Sequence, residues 1–386
     1  MTPSGSEHAA PGGPTRVLIA GGGTAGHLVP GLALADALVA RGTDPAAIHF
    51  VGSDRGVEAE MVPAAGFTLD QLPGRGLPRR PGPAMFKAGL ALLAATRSGA
   101  ALVRRRRPAV VVSLGGHAAF ACAFGAVMAR VPLVLVEQNV RAGAVNRVLA
   151  RFARASAVSF PGTDLPRATV TGNPLGAQMV AAAERRRGRD GDQARSEARA
   201  ALGLPRERIV VLVTTGSLGA SRVNAAVTAL VRRWADRPDV AIRHVTGRRD
   251  HDQVLAGRPP TSGLHYDVVA YEDRMATALT AADVAVTRAG AGTCTELAAF
   301  GVPAVMVPLP IATRDHQSAN AGVLVAAGGA LVVPDAELDV DRLEAELGPL
   351  VDDGVRRHEM AAAMAGQARL DAAARTAAVV EDAAGG

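Results

Sequence analysis

The stretch VLIAGGGTAGHLVP, residues 17–30, joins an apolar run to a glycine-rich turn and then to a helical pattern. IVVLVTTGSLGAS, residues 209–221, repeats that grammar half a chain later. A strand running through such a turn into a helix leaves unpaired backbone N–H groups and a positive helix end beside the turn, which together suit a phosphate. Two such units predict two phosphate-handling halves.

Around them the same rhythm recurs. VLIA at 17–20, IHFVG at 48–52, VVVS at 110–113 and LVLVE at 133–137 read as strands in the first half. IVVLVTT at 209–215, IRHVT at 242–246, VAVTR at 284–288 and AVMVP at 304–308 do so in the second. Continuous apolar strands separated by alanine-rich helical stretches predict α/β halves, each a doubly wound parallel sheet covered on both faces. A length of 386 residues agrees with two domains.

The expected division is a loose tail over 1–15, with no apolar core of a signal peptide; a first domain over 16–175; a linker or hinge over 176–204, which is polar and strandless; a second domain over 205–346; and C-terminal helices over 347–386. Cys122 and Cys294 are the only cysteines and lack metal-ligand spacing, so neither a disulfide framework nor a zinc site is expected, and a reducing compartment fits. The net charge of +6 comes almost wholly from arginine. With 3% aromatics and no recognition motif, a nucleic-acid partner is not expected.

The glycine turn at 21–26 also resembles a dinucleotide fingerprint, which would make the chain a dehydrogenase. Its G-G-T-A-G-H spacing and the loosely placed Asp54 after the next strand argue against this. His27, at the mouth of a helix expected to begin near Val29-Pro30, is a candidate general base, because imidazole titrates near neutral pH. A loop histidine bonded only to backbone is the plainer alternative. Gly115-Gly116-His117 forms a second anion-competent turn, for which tight helix–strand packing is an equal explanation. Asn139, past the strand LVLVE, stands where parallel sheets place ligand-contacting residues; it could as well cap the next helix.

In the second half, the 216–219 turn reads as an N–H cradle. Glu296, on the helix after TRAGAG, is placed to accept hydrogen bonds from two vicinal ribose hydroxyls, or to complement the helix dipole. DHQSAN at 315–320 offers polar side chains at the carboxyl end of AVMVP, suited to a sugar or to an exposed loop.

In order, GGGTAGHLVPGLALADAL, VEQNVRAGAVNRVLARFA, VTGNP at 170–174, TTGSLGASRVN, TRAGAGTCTELAAFGVPAVMVPLP and DHQSANA resemble the MurG family of peptidoglycan N-acetylglucosaminyltransferases, over roughly 16–335. The resemblance implies the GT-B fold, two Rossmann-like domains facing a cleft. It implies inverting transfer of N-acetylglucosamine from UDP-N-acetylglucosamine to the 4-hydroxyl of the N-acetylmuramyl sugar of lipid I, giving lipid II. His27 would be the catalytic base. Thr24, Gly26, Asn139, Ser217, Gly219, Glu272, Met275, Glu296, His316 and Gln317 would bind the donor, with the backbone around Glu272 reading the uracil edge. Gly23, Gly115, Gly116 and His117 would hold the acceptor diphosphate.

The same resemblance implies no cofactor, and no DXD-like metal motif is evident in the sequence. The sequence departs from the family at Val136, His117, Leu175-Gly176 and His316. A related GT-B transferase using another sugar or lipid, and a UDP-N-acetylglucosamine 2-epimerase, remain alternatives at this point. Finally, segment 75–107 is apolar with Arg79, Arg80, Lys87 and Arg104–Arg107 around it and too short and interrupted to span a bilayer. It predicts peripheral attachment to the cytoplasmic face of the membrane.

Overall fold

The computed structural model describes residues 16–22, 25–53, 56–72, 83–216 and 219–385. The chain divides into two compact units: Met1–Gln138, Ala142–Pro174 and Asp371–Gly386 make the first, and Asn139–Arg141 with Leu175–Leu370 make the second.

The first unit is built on seven parallel strands: β1 (Val17–Ala20), β2 (Ile48–Ser53), β3 (Thr68–Leu72), β4 (Val110–Ser113), β5 (Leu133–Glu137), β6 (Ala155–Val158) and β7 (Ala168–Val170). Their order is β3-β2-β1-β4-β5-β6-β7. Its helices are α1 (Ala25–Ala40), α2 (Glu58–Ala64), α3 (Pro83–Arg106), α4 (His117–Ala129) and α5 (Ala144–Leu149). β1, β4 and β5 are buried along their whole length, so alternate residues feed two separate cores. Val17, Ile19, Val110 and Val112 pack on one face, and Leu18, Ala20, Val111 and Cys122 on the other.

The second unit carries β8 (Ile209–Thr214), β9 (Val240–Val245), β10 (His265–Val269), β11 (Val284–Thr287), β12 (Ala304–Met306) and β13 (Ala330–Val332), all parallel, in the order β10-β9-β8-β11-β12-β13. Around them run α6 (Ala177–Arg187), α7 (Gly191–Ala201), α8 (Ser221–Arg233), α9 (His251–Ala256), α10 (Met275–Ala281), α11 (Ala291–Phe300), α12 (His316–Ala326), α13 (Val340–Asp352) and α14 (Gly354–Ala365). The last helix, α15 (Ala372–Gly385), returns to the first unit. In both sheets the strand order reverses beside the first strand, between β1 and β4 and between β8 and β11. Ligands of such sheets bind outside the carboxyl ends at these reversals.

The structure adds detail to two of the expected segments and moves the start of one helix. The stretch 176–204, expected as a linker or hinge, forms α6 and α7, which bury Ala183, Arg186, Ala194, Ala198 and Arg199, and the contacts place it in the second unit. The expected C-terminal helices are present and divide between the units: α15 buries Ala377, Val380 and Ala383 in the first core, and Thr376 Oγ1 donates to Thr171 Oγ1 at 3.0 Å. Helix α1 begins at Ala25 and runs through Pro30, so His27 lies in its first turn rather than in a loop.

Both cysteines are free and buried, and desolvation pushes their thiols up to about 12. At neutral pH they behave as small apolar residues.

Candidate functional site

In the first unit the turn after β1 and the turn after β4 pack against each other. A Cβ on Gly21 would lie 2.6 Å from Leu114 Cβ, and one on Gly22 would lie 2.5 Å from Glu58 Oε1. These glycines are therefore required by packing. Glu58 is itself buried and accepts from Ser53 N at 2.8 Å and Ser53 Oγ at 3.0 Å. Gly115 differs. Its φ of +89° excludes ordinary side chains, yet the atoms nearest to a Cβ placed there would be Asn146 Nδ2 at 3.9 Å and His27 Cε1 at 4.0 Å. A Cβ over Gly115 would thus only touch its neighbours at van der Waals distance, one of them the imidazole. Gly116 also has positive φ, +85°, and approaches the Gly22 carbonyl.

His27 is half-buried, and its Nδ1 lies 2.5 Å from Gln138 Oε1. An amide oxygen only accepts, so Nδ1–H donates and the neutral ring keeps its lone pair on Nε2. Gln138 is 2% exposed, and its Nε2 has no partner among the described residues. The neighbouring Glu137 faces the other way: its carboxylate accepts from Gly143 N at 2.9 Å and Asn146 Nδ2 at 3.0 Å, while Ser113 Oγ donates to Asn146 Oδ1 at 3.0 Å. This buried network supports the turn after β4.

Gly26 is exposed in the first turn of α1. Gly23 and Thr24 lie outside the described residues, as does the side chain of His117, the first residue of α4.

In the second unit the turn after β8 is organised in the same way. Gly219 (φ +79°) is a packing glycine, since a Cβ there would come within 2.8 Å of Thr246 O and Asp250 Oδ2; Gly247 interlocks with it. Gly216 (φ +79°) has open space where its Cβ would be. Beneath the turn, His244 Nε2 meets Asn224 Oδ1 at 2.9 Å and His244 Nδ1 meets Tyr266 Oη at 2.9 Å. Asn224 Nδ2 in turn donates to Thr246 O at 3.0 Å and Asp250 Oδ2 at 3.1 Å. Burial pushes His244 down to about 3, so this histidine is a neutral support with both nitrogens engaged. Ser217 lies outside the described residues.

Glu296, on α11 at the neighbouring strand reversal, has no hydrogen-bond or ion-pair partner for its carboxylate among the described residues, and desolvation alone raises its carboxyl to about 7. A carboxylate left without donors in this position can take two from a ligand. Glu272 is otherwise engaged: Arg243 Nε donates to Oε2 at 2.6 Å and Arg274 N to Oε1 at 2.9 Å. Its side chain braces the loop, leaving only its backbone to face a ligand. Met275 opens α10, and beside it exposed Tyr271 carries the Arg248 guanidinium 4.7 Å above its ring.

Gln317 Oε1 accepts from Leu309 N at 2.9 Å and Ala289 N at 3.2 Å, tying two strand-end loops together and leaving its amide N–H groups without a partner among the described residues. His316 stands beside it at the start of α12, after two non-glycine residues of positive φ, Arg314 (+55°) and Asp315 (+52°). Asn139 Oδ1 accepts from Asn320 Nδ2 at 3.0 Å, and Asn320 Nδ2 also donates to Ala289 O at 3.2 Å. Asn139 and Gln317 thus belong to segments joined through Asn320 and Ala289, and Ala289 lies just ahead of α11, which carries Glu296.

Gln138, Asn320 and Arg288 lie within the stretches the sequence singles out, but the sequence gives none of them an individual role. Arg288 Nη1 donates to Val307 O at 3.0 Å and Asp335 Oδ1 at 2.6 Å, and its buried Nε is unpartnered among the described residues. Among the described residues no group of three or more His, Cys, Asp or Glu is arranged to hold a metal ion.

Residues 17–158 match the family profile of the glycosyltransferase family 28 N-terminal domain, and 210–376 match that of the family 28 C-terminal domain. A curated relative from Nocardioides sp. (strain ATCC BAA-499 / JS614), named UDP-N-acetylglucosamine–N-acetylmuramyl-(pentapeptide) pyrophosphoryl-undecaprenol N-acetylglucosamine transferase, is 43% identical over 366 residues, covering 95% of this chain and 97% of the relative. Among solved structures, Acinetobacter baumannii MurG is similar with a TM-score of 0.75 at 26% identity, over 96% of this chain and 100% of that one. The UDP-GlcNAc 2-epimerase of Neisseria meningitidis, bound to UDP-GlcNAc, shares the fold at a TM-score of 0.66 and 13% identity, over 95% of this chain and 100% of that one.

Proposed function

The chain belongs to glycosyltransferase family 28, and from that premise we propose how its residues divide the work of the transfer. The enzyme transfers N-acetylglucosamine from UDP-N-acetylglucosamine to lipid I, forming lipid II. The extent and identity of the match to lipid II-forming relatives favour this over 2-epimerisation, whose example shares only the fold.

The first unit handles the acceptor. The open face of Gly115, with Gly23, Gly116 and His117, takes the lipid diphosphate, and His27 Nε2 removes the proton of the acceptor 4-hydroxyl as its oxygen attacks C1 of the donor sugar. The bond from C1 to the diphosphate breaks in the same displacement, inverting the anomeric centre, and UDP departs with the electron pair. The second unit holds the donor. Backbone N–H groups at 216–219, Ser217 among them, and the N-terminus of α8 stabilise the charge that develops on the diphosphate. Glu296 accepts from the ribose hydroxyls, the backbone at Glu272 and the Met275 side chain border the uracil, and Asn139, His316 and Gln317 contact the N-acetylglucosamine. Thr24 and Gly26 reach the donor from the first glycine turn.

The single observation that carries the acid–base assignment is the Nδ1–Oε1 bond of His27 to Gln138, which fixes the tautomer a general base requires.

Peripheral membrane attachment at the cytoplasmic face belongs to the same reading. No helix among the described residues is long and apolar enough to cross a membrane. Of segment 75–107, the described side chains favour packing: Ala95, Leu102 and Val103 are buried and Arg106 is bidentate to Asp70 at 3.0–3.1 Å. Residues 73–82 and the side chains of 83–93 lie outside the described residues. Exposed Phe124, Met128, Val148 and Phe152 stand on α4, α5 and the turn after α5, accompanied by exposed Arg130, Arg147, Arg151 and Arg154. Apolar side chains amid arginines suit an anionic bilayer surface, each basic residue adding about 1 kcal/mol.

Incubation with labelled UDP-N-acetylglucosamine and a lipid I analogue tests the function. Labelled disaccharide lipid is expected; release of UDP with free epimerised sugar and no labelled lipid would overturn it.

A further inference from the structure

The second unit contains a cavity of about 690 Å³ that no step of the transfer uses. Its wall is formed by α6, α7, α14, the end of α11 and the residues just before β8 and β11. These are the amino ends of the strands. The 216–219 turn and Arg288 follow the carboxyl ends of β8 and β11, so the length of the strands, up to about 20 Å for β8, separates the cavity from the donor loops.

Six arginines line the cavity: Arg186, Arg187, Arg195, Arg199, Arg206 and Arg357. Three acids share the wall, Asp192, Glu207 and Asp283, leaving an excess of three positive charges with histidine neutral. Two of the acids are already taken, Asp283 by Arg199 at 2.6 Å and Asp192 by Arg195. Arg186 is 8% exposed and meets no carboxylate among the described residues. It donates to Phe300 O at 2.8 Å, Leu279 O at 2.9 Å, Ala282 O at 2.8 Å and Thr280 O, and so caps the carbonyl ends of α10 and α11. Arg357 similarly donates to Leu350 O and Val351 O at the end of α13. Helix ends carry only partial charge, so these guanidiniums remain electrically uncompensated. Burial and the neighbouring Arg195 lower Arg186 to about 10, as expected where cations crowd. Arg206 is exposed, and its guanidinium makes no hydrogen bond or ion pair with a described residue.

A cavity of this size accommodates more than a single small ion. Planar guanidiniums bind phosphate oxygens in pairs, and several on one wall favour adjacent phosphates over a lone carboxylate. We infer that this cavity is a second anion site, separate from the donor and acceptor sites, for a ligand carrying two or more phosphate charges. A phosphorylated lipid headgroup and a soluble polyphosphate share that chemistry. Occupancy would brace α6, α7 and α14 from outside the reacting centre.

The test uses the full chain without nucleotide, since UDP is itself a diphosphate, and inorganic pyrophosphate as the probe. Because His358 lies on the cavity wall, its imidazole NMR signal, assigned with H358Q, reports this cavity and not the glycine turns. A saturable shift of that signal is expected, with affinity about tenfold or more weaker in R187A/R206A, two exposed arginines free of carboxylate partners among the described residues. No shift of the His358 signal, or equal affinity in the double variant, would overturn the site. Displacement of the probe by short-chain phosphatidic acid would give the ligand a lipid source, and displacement by ATP a soluble one. Since the readout is local to this cavity and transfer is never measured, failure here leaves the transferase assignment standing.

Discussion

Gly115, after β4, and Gly216, after β8, play like parts in the two units: each follows a central strand at the reversal of its sheet, has positive φ and meets no atom closer than 3.9 Å where a Cβ would stand, while neighbouring glycines are held by packing. What stands beside them differs. Beside Gly115 is a half-buried imidazole with one nitrogen held by Gln138 and the other without a partner among the described residues. Beneath the turn of Gly216 is a histidine with both nitrogens engaged and its pKa pushed to about 3, surrounded by Asn224, Tyr266 and Asp250. One βα turn is equipped to move a proton and the other to remain rigid under an anion. The same backbone motif therefore carries different chemistry through the side chains that its supporting layer leaves unsatisfied.

The largest effect expected from this contrast is at His27. His27→Ala should lower turnover about 10²–10⁴-fold while UDP affinity, read by calorimetry, stays within twofold or so. A similar loss on replacing His244 by Gln in a folded protein would erase the distinction between the turns.

Next is Gln138→Ala, which frees the imidazole to choose its tautomer. Turnover should fall about 10–100-fold with KM for the donor little changed, by analogy with the loss of other histidine-orienting partners. Gln138→Glu should move the acidic limb of the rate profile upward, because a carboxylate favours the imidazolium. An unmoved limb would mean that the 2.5 Å contact has no bearing on the proton transfer.

Glu296 gives an effect of roughly tenfold or more on donor affinity, from two charge-assisted hydrogen bonds. Its pH dependence has a definite sign. Desolvation raises the free carboxyl to about 7, and ribose hydroxyls donate to its ionised form, so binding releases a proton. UDP affinity should therefore rise with pH up to and somewhat above 7 and fall below it, by at most about tenfold per unit, whereas Glu296→Gln should be weaker and nearly flat. A wild-type profile as flat as that of the variant would remove the carboxylate from the ribose.

The smallest effect separates open from packed glycines. Gly216→Ala should cost about 1 kcal/mol of stability through backbone strain alone. Gly219→Ala should cost more, because its Cβ would also press on Thr246 O and Asp250 at 2.8 Å. Equal melting temperatures for the two variants would contradict this sorting.

Much of the fold is legible in the sequence where both faces of a strand are buried. VLIA, VVVS, LVLVE and VAVT are unbroken apolar runs because helices cover them on both sides. The edge strands β3, β7, β10 and β13 escape such a reading. TLDQL, ATV, HYDVV and ALV retain partly exposed positions and a single pairing neighbour, and β6, ASAV, is made of small residues that equally suit a helix. The polar stretch 176–204 reads as a linker because its buried groups include arginines, whose partners are backbone carbonyls some 80–115 residues away.

The candidate site follows the same division. Glycine turns announce themselves locally, through spacing and the preceding strand. The individual parts of Gln138 and Asn320 do not, since their partners lie 111 and 181 residues away, although both fall in polar stretches at strand ends. At the end of β5 the alternation of side chains offers one usable sign: if Glu137 turns inward to Asn146, Gln138 turns the other way, to His27.

Hydrogen–deuterium exchange with and without saturating UDP compares both turns in one experiment. Protection is expected at 214–221, 271–276 and the first turns of α11, with little change at 21–29 and 114–119. Protection centred on the turns after β1 and β4, with none at 214–221, would contradict the assignment of the nucleotide to the second unit and of the proton transfer to the first.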